Sequence, residues 1–187
     1  LSNNIKCGNS LIGQDFYEYQ QMSVFDEEEI LRVNAFDWNT EFSEIMKDGG
    51  FDAVIGNPPY GAEFTESMTA YFKKVFLTHV WRGESYLLFV EQAFKRLKTD
   101  GLFSFIIPDT YLNLGFTQSL RTFLLQNAKL REIVLLPSNV FPGATVDTTV
   151  LVAKKAENTT SFHNSSVNVT MFNKKTAISA VENPDRS

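Results

Sequence analysis

The sequence predicts an α/β fold built on a parallel, doubly wound sheet, and three observations predict it. Short apolar runs of strand length alternate with longer segments whose apolar residues recur at helical spacing. The runs are close to continuously hydrophobic, as strands covered on both faces require. Glycine or proline then breaks the pattern at their ends, as at Gly56 and Pro108.

Taken in order, Ile5-Lys6-Cys7-Gly8 reads as a short strand entering a turn at Gly8-Asn9-Ser10. Asp26-Glu27-Glu28-Glu29 reads as a solvated helix start, where carboxylates suit the dipole. After Asp48-Gly49-Gly50, the run from Phe51 to Gly56 is expected to be a buried strand ending in a rigid loop, since two prolines follow one residue later. Thr65 can cap a helix running to about Thr78, with Met68, Tyr71, Phe72, Val75 and Phe76 on one face. A second helix is expected from about Glu84 to Lys98, ended by Asp100-Gly101. Leu102 to Ile107 is a strand closed by Pro108, Phe116 to Gln126 a third helix, and Leu130 to Leu136, Thr148 to Ala153 and Val167 to Phe172 are further strands. About a dozen residues separate the late strands, too few for a helical crossover, so an antiparallel hairpin should end the sheet. Ligands in such sheets bind beyond the carboxyl ends of the strands, which places Asn57-Pro58-Pro59-Tyr60 and Pro108-Asp109 where chemistry is expected.

Composition narrows the classes. The 187 residues, 43% hydrophobic and 21% charged, suit one globular core. With 17 phenylalanines, a ring at any one position is a core residue unless something local argues otherwise. The formal charge of −5 argues against gripping a phosphate backbone unaided, because that affinity comes from Lys and Arg. The single cysteine, Cys7, excludes an internal disulfide and a cysteine-cluster metal site and fits a reducing cytoplasm. No apolar run reaches the roughly eighteen residues of a membrane span, and Leu1-Ser2-Asn3-Asn4 lacks the features of a signal peptide. A cytoplasmic protein with no membrane and no metal is therefore expected, and the sequons at Asn158, Asn164 and Asn168 are accidental.

The chemistry lies in Asn57 to Tyr60. An exocyclic aromatic amine is planar because its lone pair is delocalised into the ring, and it is a poor nucleophile. Two acceptors placed at its two protons localise the lone pair and stabilise the positive charge developing as it attacks a methyl sulfonium. The Asn57 amide oxygen and the Pro58 carbonyl supply both, and proline's fixed φ and missing N–H hold that carbonyl at a set angle. The two oxygens are expected to open into a common concavity. Tyr60 offers a flat face for a planar base, which must leave a duplex to reach it.

Phe-Asp-Ala-Val-Ile-Gly-Asn-Pro-Pro-Tyr-Gly, residues 51–61, resembles the catalytic motif of gamma-class adenine-N6 methyltransferases, especially those of type IIG and type I restriction-modification systems. The segments at 86–91, 101–108, 110–112, 120–124, 140–143 and 148–152 resemble, in order, the family's segments downstream of that motif. The resemblance implies a Rossmann-like class I methyltransferase sheet and S-adenosylmethionine as cofactor. It makes Asn57, Pro58, Pro59 and Tyr60 catalytic, and Phe141 with Tyr60 the rings that bind the flipped adenine. Asn9, in Asn4 to Leu11, matches the residue that contacts the donor's adenine, with Asp37 as competitor and Asn57 as a second donor contact. Duplex DNA would be held through domains absent from this chain, with endonuclease and target-recognition domains in the same polypeptide.

The departures from the family are also informative. No Gly-x-Gly preceded by an apolar strand stands before Asn9, and no ribose-binding acid comes after such a loop. Residues 1–172 are therefore expected to be the downstream part of a catalytic domain, its sheet incomplete on the N-terminal side. Residues 173–187 are expected to be a linker or the start of a missing target-recognition domain. Such a chain should bind S-adenosylmethionine weakly or not at all. The same motif chemistry suits RNA adenine or a protein glutamine amide, and a degenerate, non-catalytic module is the rival from another class. Each site residue also has a purely structural alternative: an Asn-Pro turn at Asn57, a core ring at Phe141, an Asx turn at Asn9. His79 and His163 have no partners at ligand spacing; Asp52, Glu63, Glu66 and Asp109 suit structural or capping roles, and Arg121 and Lys73-Lys74 suit exposed helical faces.

Overall fold

The computed structural model describes residues 4–19, 27–80, 83–138, 140–141, 146–156 and 166–173. Four short helices come first: α1 (Asp15–Tyr19), α2 (Glu27–Val33), α3 (Trp38–Glu41) and α4 (Ser43–Lys47). After them come β1 (Phe51–Gly56), α5 (Glu66–Val75), α6 (Ser85–Arg96), β2 (Leu97–Pro108), α7 (Gln118–Asn127), β3 (Ala128–Leu135), β4 (Thr148–Lys155) and β5 (Asn168–Met171).

The helices form for the expected reasons. Thr65 caps α5, its hydroxyl accepting from the Met68 amide at 3.3 Å. Helix α6 buries Tyr86, Leu87, Val90, Ala93 and Phe94 on one side, and Leu88 packs with Tyr71, Phe72 and Phe76 of the α5 region on another. Glu91, 1% exposed, accepts from the Thr78 amide at 2.9 Å and pairs with Lys95 at 2.9 Å, so the segment after α5 is tied to α6 through one buried carboxylate. The α6 helix stops at Arg96, two residues before the expected Lys98. Asp100 and Gly101 fall inside β2, where Asp100 takes a left-handed φ of 67°.

The sheet is mixed, in the order β1-β2-β4-β3-β5. The β1·β2 and β3·β5 pairs are parallel, and β4 runs antiparallel to both β2 and β3. The expected hairpin is thus β3/β4, with β4 folded back between β2 and β3 and β5 added beyond it.

Register shows which side of the sheet is covered. Phe103, Phe105, Ile107, Leu151, Ala153 and Ile133 point to one face, all buried, and pack with Phe94 of α6 and Leu120, Phe123 and Leu124 of α7. On the other face lie Ala53 and Ile55 of β1, Leu102, Ser104 and Ile106 of β2, Val150 and Val152 of β4, and Val134 of β3; none of them is buried. Ile55 is 85% exposed and Leu102 53%.

Three expectations are corrected here. β1 is an edge strand with exposed residues, where a buried strand was expected, because among the described residues no strand pairs with its outer edge. The sheet is covered by helices on one face only among those residues. Ile5 to Gly8 forms no strand: Ile5 is 76% exposed, and the segment touches strand geometry only at the isolated Asn9–Ala35 bridge, having no sheet partner to complete its hydrogen bonds.

Candidate active site

β1 delivers the motif. Gly56 pairs with Phe105, and a Cβ on Gly56 would come within 3.0 Å of that ring, so glycine lets the strand end lie flat against it. The chain then turns through exposed Asn57, buried Pro58, exposed Pro59 and half-buried Tyr60. The Tyr60 hydroxyl donates to Asn57 Oδ1 at 2.9 Å, with the Ile106 carbonyl also within 3.4 Å. Burial pushes the Tyr60 phenol above its ordinary pKa, so the hydroxyl stays a donor. Its ring stands edge-on to Tyr86, centroids 6.4 Å apart and planes at 83°.

The N-terminus of α6 supports the loop. The Ser85 hydroxyl donates to the Pro59 carbonyl at 2.6 Å and accepts from the Ala62 amide at 3.1 Å. Tyr86, wholly buried, places its hydroxyl 3.3 Å from Thr110 Oγ1, just past the end of β2, and burial pushes its pKa up to about 12. Ser85 and Thr110 escaped the sequence reading as supports; a serine opening a helix carries no mark that separates a loop tie from an ordinary helix start.

Phe141 is half-buried in the β3–β4 connection. Thr148 pairs with Pro108, and the Leu136 amide donates to the Thr148 carbonyl at 3.0 Å, so this connection lies at the sheet end where β1 and β2 finish. Asn57 and Phe141 therefore share one end of the sheet, separated by the intervening strands β2 and β4. Pro142–Thr145 lie outside the described residues.

Asn9 is elsewhere. Its Oδ1 accepts from the Leu11 amide at 3.2 Å in an Asx turn, and its own amide donates to the Asn34 carbonyl at 2.7 Å. Its neighbours Gly8 and Ser10 line a groove of about 590 Å³ that runs along β1 past Phe36, Trp38, Val54, Ile55, Phe89 and Phe105. Asp37 caps α3, accepting from the Asn39 amide at 2.9 Å and the Thr40 hydroxyl at 2.6 Å; the hydroxyl bond holds its carboxyl below the usual range. Arg121 is no exposed face residue: Nη1 donates to the Tyr111 and Leu114 carbonyls at 2.7 and 2.9 Å, stitching α7 to the turns before it. Asp52 pairs with Lys98 at 3.1 Å. His163 lies outside the described residues.

Five cavities formed by described residues are lined by other residues than Asn57, Pro58 and Tyr60. A pocket of about 290 Å³ adjoins the motif through Gly61 and Ala62. No cluster of His, Cys, Asp and Glu able to hold a metal occurs among the described residues, and no described helix is long and apolar enough to cross a membrane.

Solved structures share this architecture. A Listeria monocytogenes protein described as a class I S-adenosylmethionine-dependent methyltransferase superposes with TM-score 0.56, at 20% identity, over 73% of this chain and 41% of its own. The methyltransferase subunit of a type I restriction-modification system from Streptococcus thermophilus gives 0.54, at 23% identity, over 73% and 29%. The fold is that of the class I S-adenosylmethionine-dependent methyltransferases.

Within that class, the model of one family matches residues 2–141, and the chain belongs to it: the Eco57I restriction-modification methylases. The type II restriction enzyme and methyltransferase RM.Eco57I of Escherichia coli is 29% identical over 161 residues, covering 83% of this chain and 15% of that protein. The type II methyltransferase M.TthHB8I of Thermus thermophilus is 31% identical over 116 residues, covering 56% and 26%. The chain thus spans about a seventh and a quarter of the length of these two relatives.

Proposed function

We propose that this chain carries the methyl-transfer centre of a restriction-modification methyltransferase that modifies the N6 amino group of an adenine flipped out of duplex DNA. The observation that carries the reading is the state of Asn57. Its carboxamide is exposed at the carboxyl end of β1, and its oxygen already accepts one hydrogen bond, at 2.9 Å, from the Tyr60 hydroxyl. It is an oriented, reachable acceptor, and the Tyr60 hydroxyl can turn to the Ile106 carbonyl, 3.4 Å away, to release it while the ring stays in place.

An incoming amino group would replace the Tyr60 hydroxyl on Asn57 Oδ1 and donate its second N–H to the Pro58 carbonyl. The Tyr60 face would stack against the base, and Phe141 would close on its other side; such stacking is worth about 1–3 kcal/mol per ring. S-adenosylmethionine would supply the methyl group: the N6–carbon bond forms, the sulfur–carbon bond breaks, and the spare N6 proton leaves to water. The chain's own residues hold the amine with its lone pair free, exclude water from one face, and need no strong base.

The residues present fit only one end of the donor. Asn57 offers a carboxamide near the transferred methyl, and Asn9, once its turn opens, offers one to the donor's adenine. The 590 Å³ groove beside β1 is apolar, and its charged side chains are Lys6 and Arg96, with no carboxylate for a ribose or an ammonium group. With a formal charge of −5, the chain would rely on other domains to grip DNA and choose its sequence, and an endonuclease domain in the same polypeptide accords with the name of the E. coli relative.

The test is Asn57→Ala in the full polypeptide, with N6-methyladenine in duplex DNA measured against parallel RNA and glutamine-peptide substrates. Loss of more than about tenfold, ~1.4 kcal/mol of transition-state stabilisation, is expected on DNA. Methylation surviving within tenfold removes Asn57 from the role, and transfer to RNA or glutamine instead of DNA overturns the substrate.

A further inference from the structure

We infer that Ser85 is the positioning residue of the Asn57–Tyr60 loop, its one hydroxyl fixing the direction of the Pro58 carbonyl by tying the loop down on both sides of Tyr60. This deepens the reading of the loop as the methyl-transfer centre and rests on it.

Ser85 is the first residue of α6 and is wholly buried, yet its side chain does not serve its own helix. The oxygen donates to the Pro59 carbonyl at 2.6 Å and accepts from the Ala62 amide at 3.1 Å, using donor and acceptor on two points of the same loop. A hydroxyl placed for ordinary helix capping would accept from an amide of its own first turn.

The torsions show what the two ties accomplish. The peptide planes are rigid, and proline locks φ at Pro58 and at Pro59. Holding the Pro59 carbonyl on Ser85 fixes ψ at Pro59, and the bond from Ala62 restrains the two backbone torsions of Tyr60 from the far side. The torsion that aims the Pro58 carbonyl, ψ of Pro58, then lies between the chain held in β1 and the Pro59 carbonyl held by Ser85, so it turns only if a tie is broken. Tyr86, the next residue of α6, supports the Tyr60 ring edge-on, so the first two residues of one helix set both the carbonyl and the stacking face. A carbonyl that must meet an N–H at hydrogen-bond distance in the transition state loses much of its effect if displaced by about 1 Å.

Two measurements test this. Amide exchange in the present chain should show Ala62 exchanging about tenfold faster or more in Ser85→Ala, with the amides of β2 unchanged and Ser85→Thr, which keeps the hydroxyl, close to the original. In the full polypeptide, Ser85→Ala should lower kcat about tenfold or more while KM for DNA and for S-adenosylmethionine stays within about twofold, and Ser85→Thr should recover most of kcat. A merely structural serine would instead lower the active fraction and leave kcat per active site unaltered. Unchanged Ala62 exchange overturns the inference, as does an unaltered kcat in Ser85→Ala. A parent polypeptide inactive on every adenine substrate would sink the proposed function, and the Ala62 exchange would still decide whether the hydroxyl clamps the loop.

Discussion

The Tyr60 hydroxyl occupies the oxygen that the proposed reaction requires. Such a bond between neutral groups contributes about 1 kcal/mol net, so an incoming amine meets modest competition. Tyr60→Phe removes the competing donor and keeps the ring; methylation by the full polypeptide should stay within about threefold, whereas Tyr60→Ala should lose about 1–3 kcal/mol of base stacking, read as a weaker affinity for a DNA with a mispaired target adenine. Equal losses in the two variants would show that the hydroxyl, not the ring, is what matters. The motif was legible because its residue types state their chemistry: an amide oxygen, two locked torsions and a flat ring. The support from Ser85 was not, because hydrogen bonds across 26 and 23 positions of sequence depend on where α6 begins.

Among the elements, the start of β1 is set by backbone geometry. Gly50 has a φ of +117°, and a Cβ there would run into the Arg96 carbonyl at the end of α6. Gly50→Ala should therefore destabilise the fold by about 1–3 kcal/mol, seen as a lower urea midpoint with the slope unchanged, and an unaltered midpoint would show that the α6–β1 contact gives way freely. Helices α5, α6 and α7 were readable from apolar spacing and the Thr65 cap, because each buries one stripe. The break between α6 and β2 was less so. Lys98, Thr99 and Asp100 suit a helix end by type, but pairing with Phe51 and the bonds from Lys98 to Asp48 at 2.6 Å and Asp52 at 3.1 Å draw Leu97 onward into the strand. Arg121 likewise reads as a surface cation until three acceptors from two separate turns converge on it.

At the scale of the molecule, among the described residues the helices cover one face of the sheet and no strand pairs with the outer edge of β1. Edge strands and bare aliphatic faces are ordinarily covered. The groove beside β1 presents rings and two cations, so it lacks the carboxylates a sulfonium nucleoside with an ammonium group calls for. Calorimetry on the 187-residue chain should accordingly detect S-adenosylmethionine binding weaker than micromolar; a micromolar constant would mean that the residues present already complete the donor site. By itself the sequence determined the α/β class and the order of the elements from β1 onward, and it pointed to Asn57 to Tyr60 as the candidate centre, because periodicity, turn residues and side-chain type are local properties. Only the tertiary structure decided that β4 folds back between β2 and β3, that the described helices cover one face of the sheet, that Asn9 sits in an Asx turn, and that Ser85 bonds the loop on both sides of Tyr60. Those outcomes depend on which distant surfaces meet, and pairing partners are settled by the burial and hydrogen bonding of the whole chain.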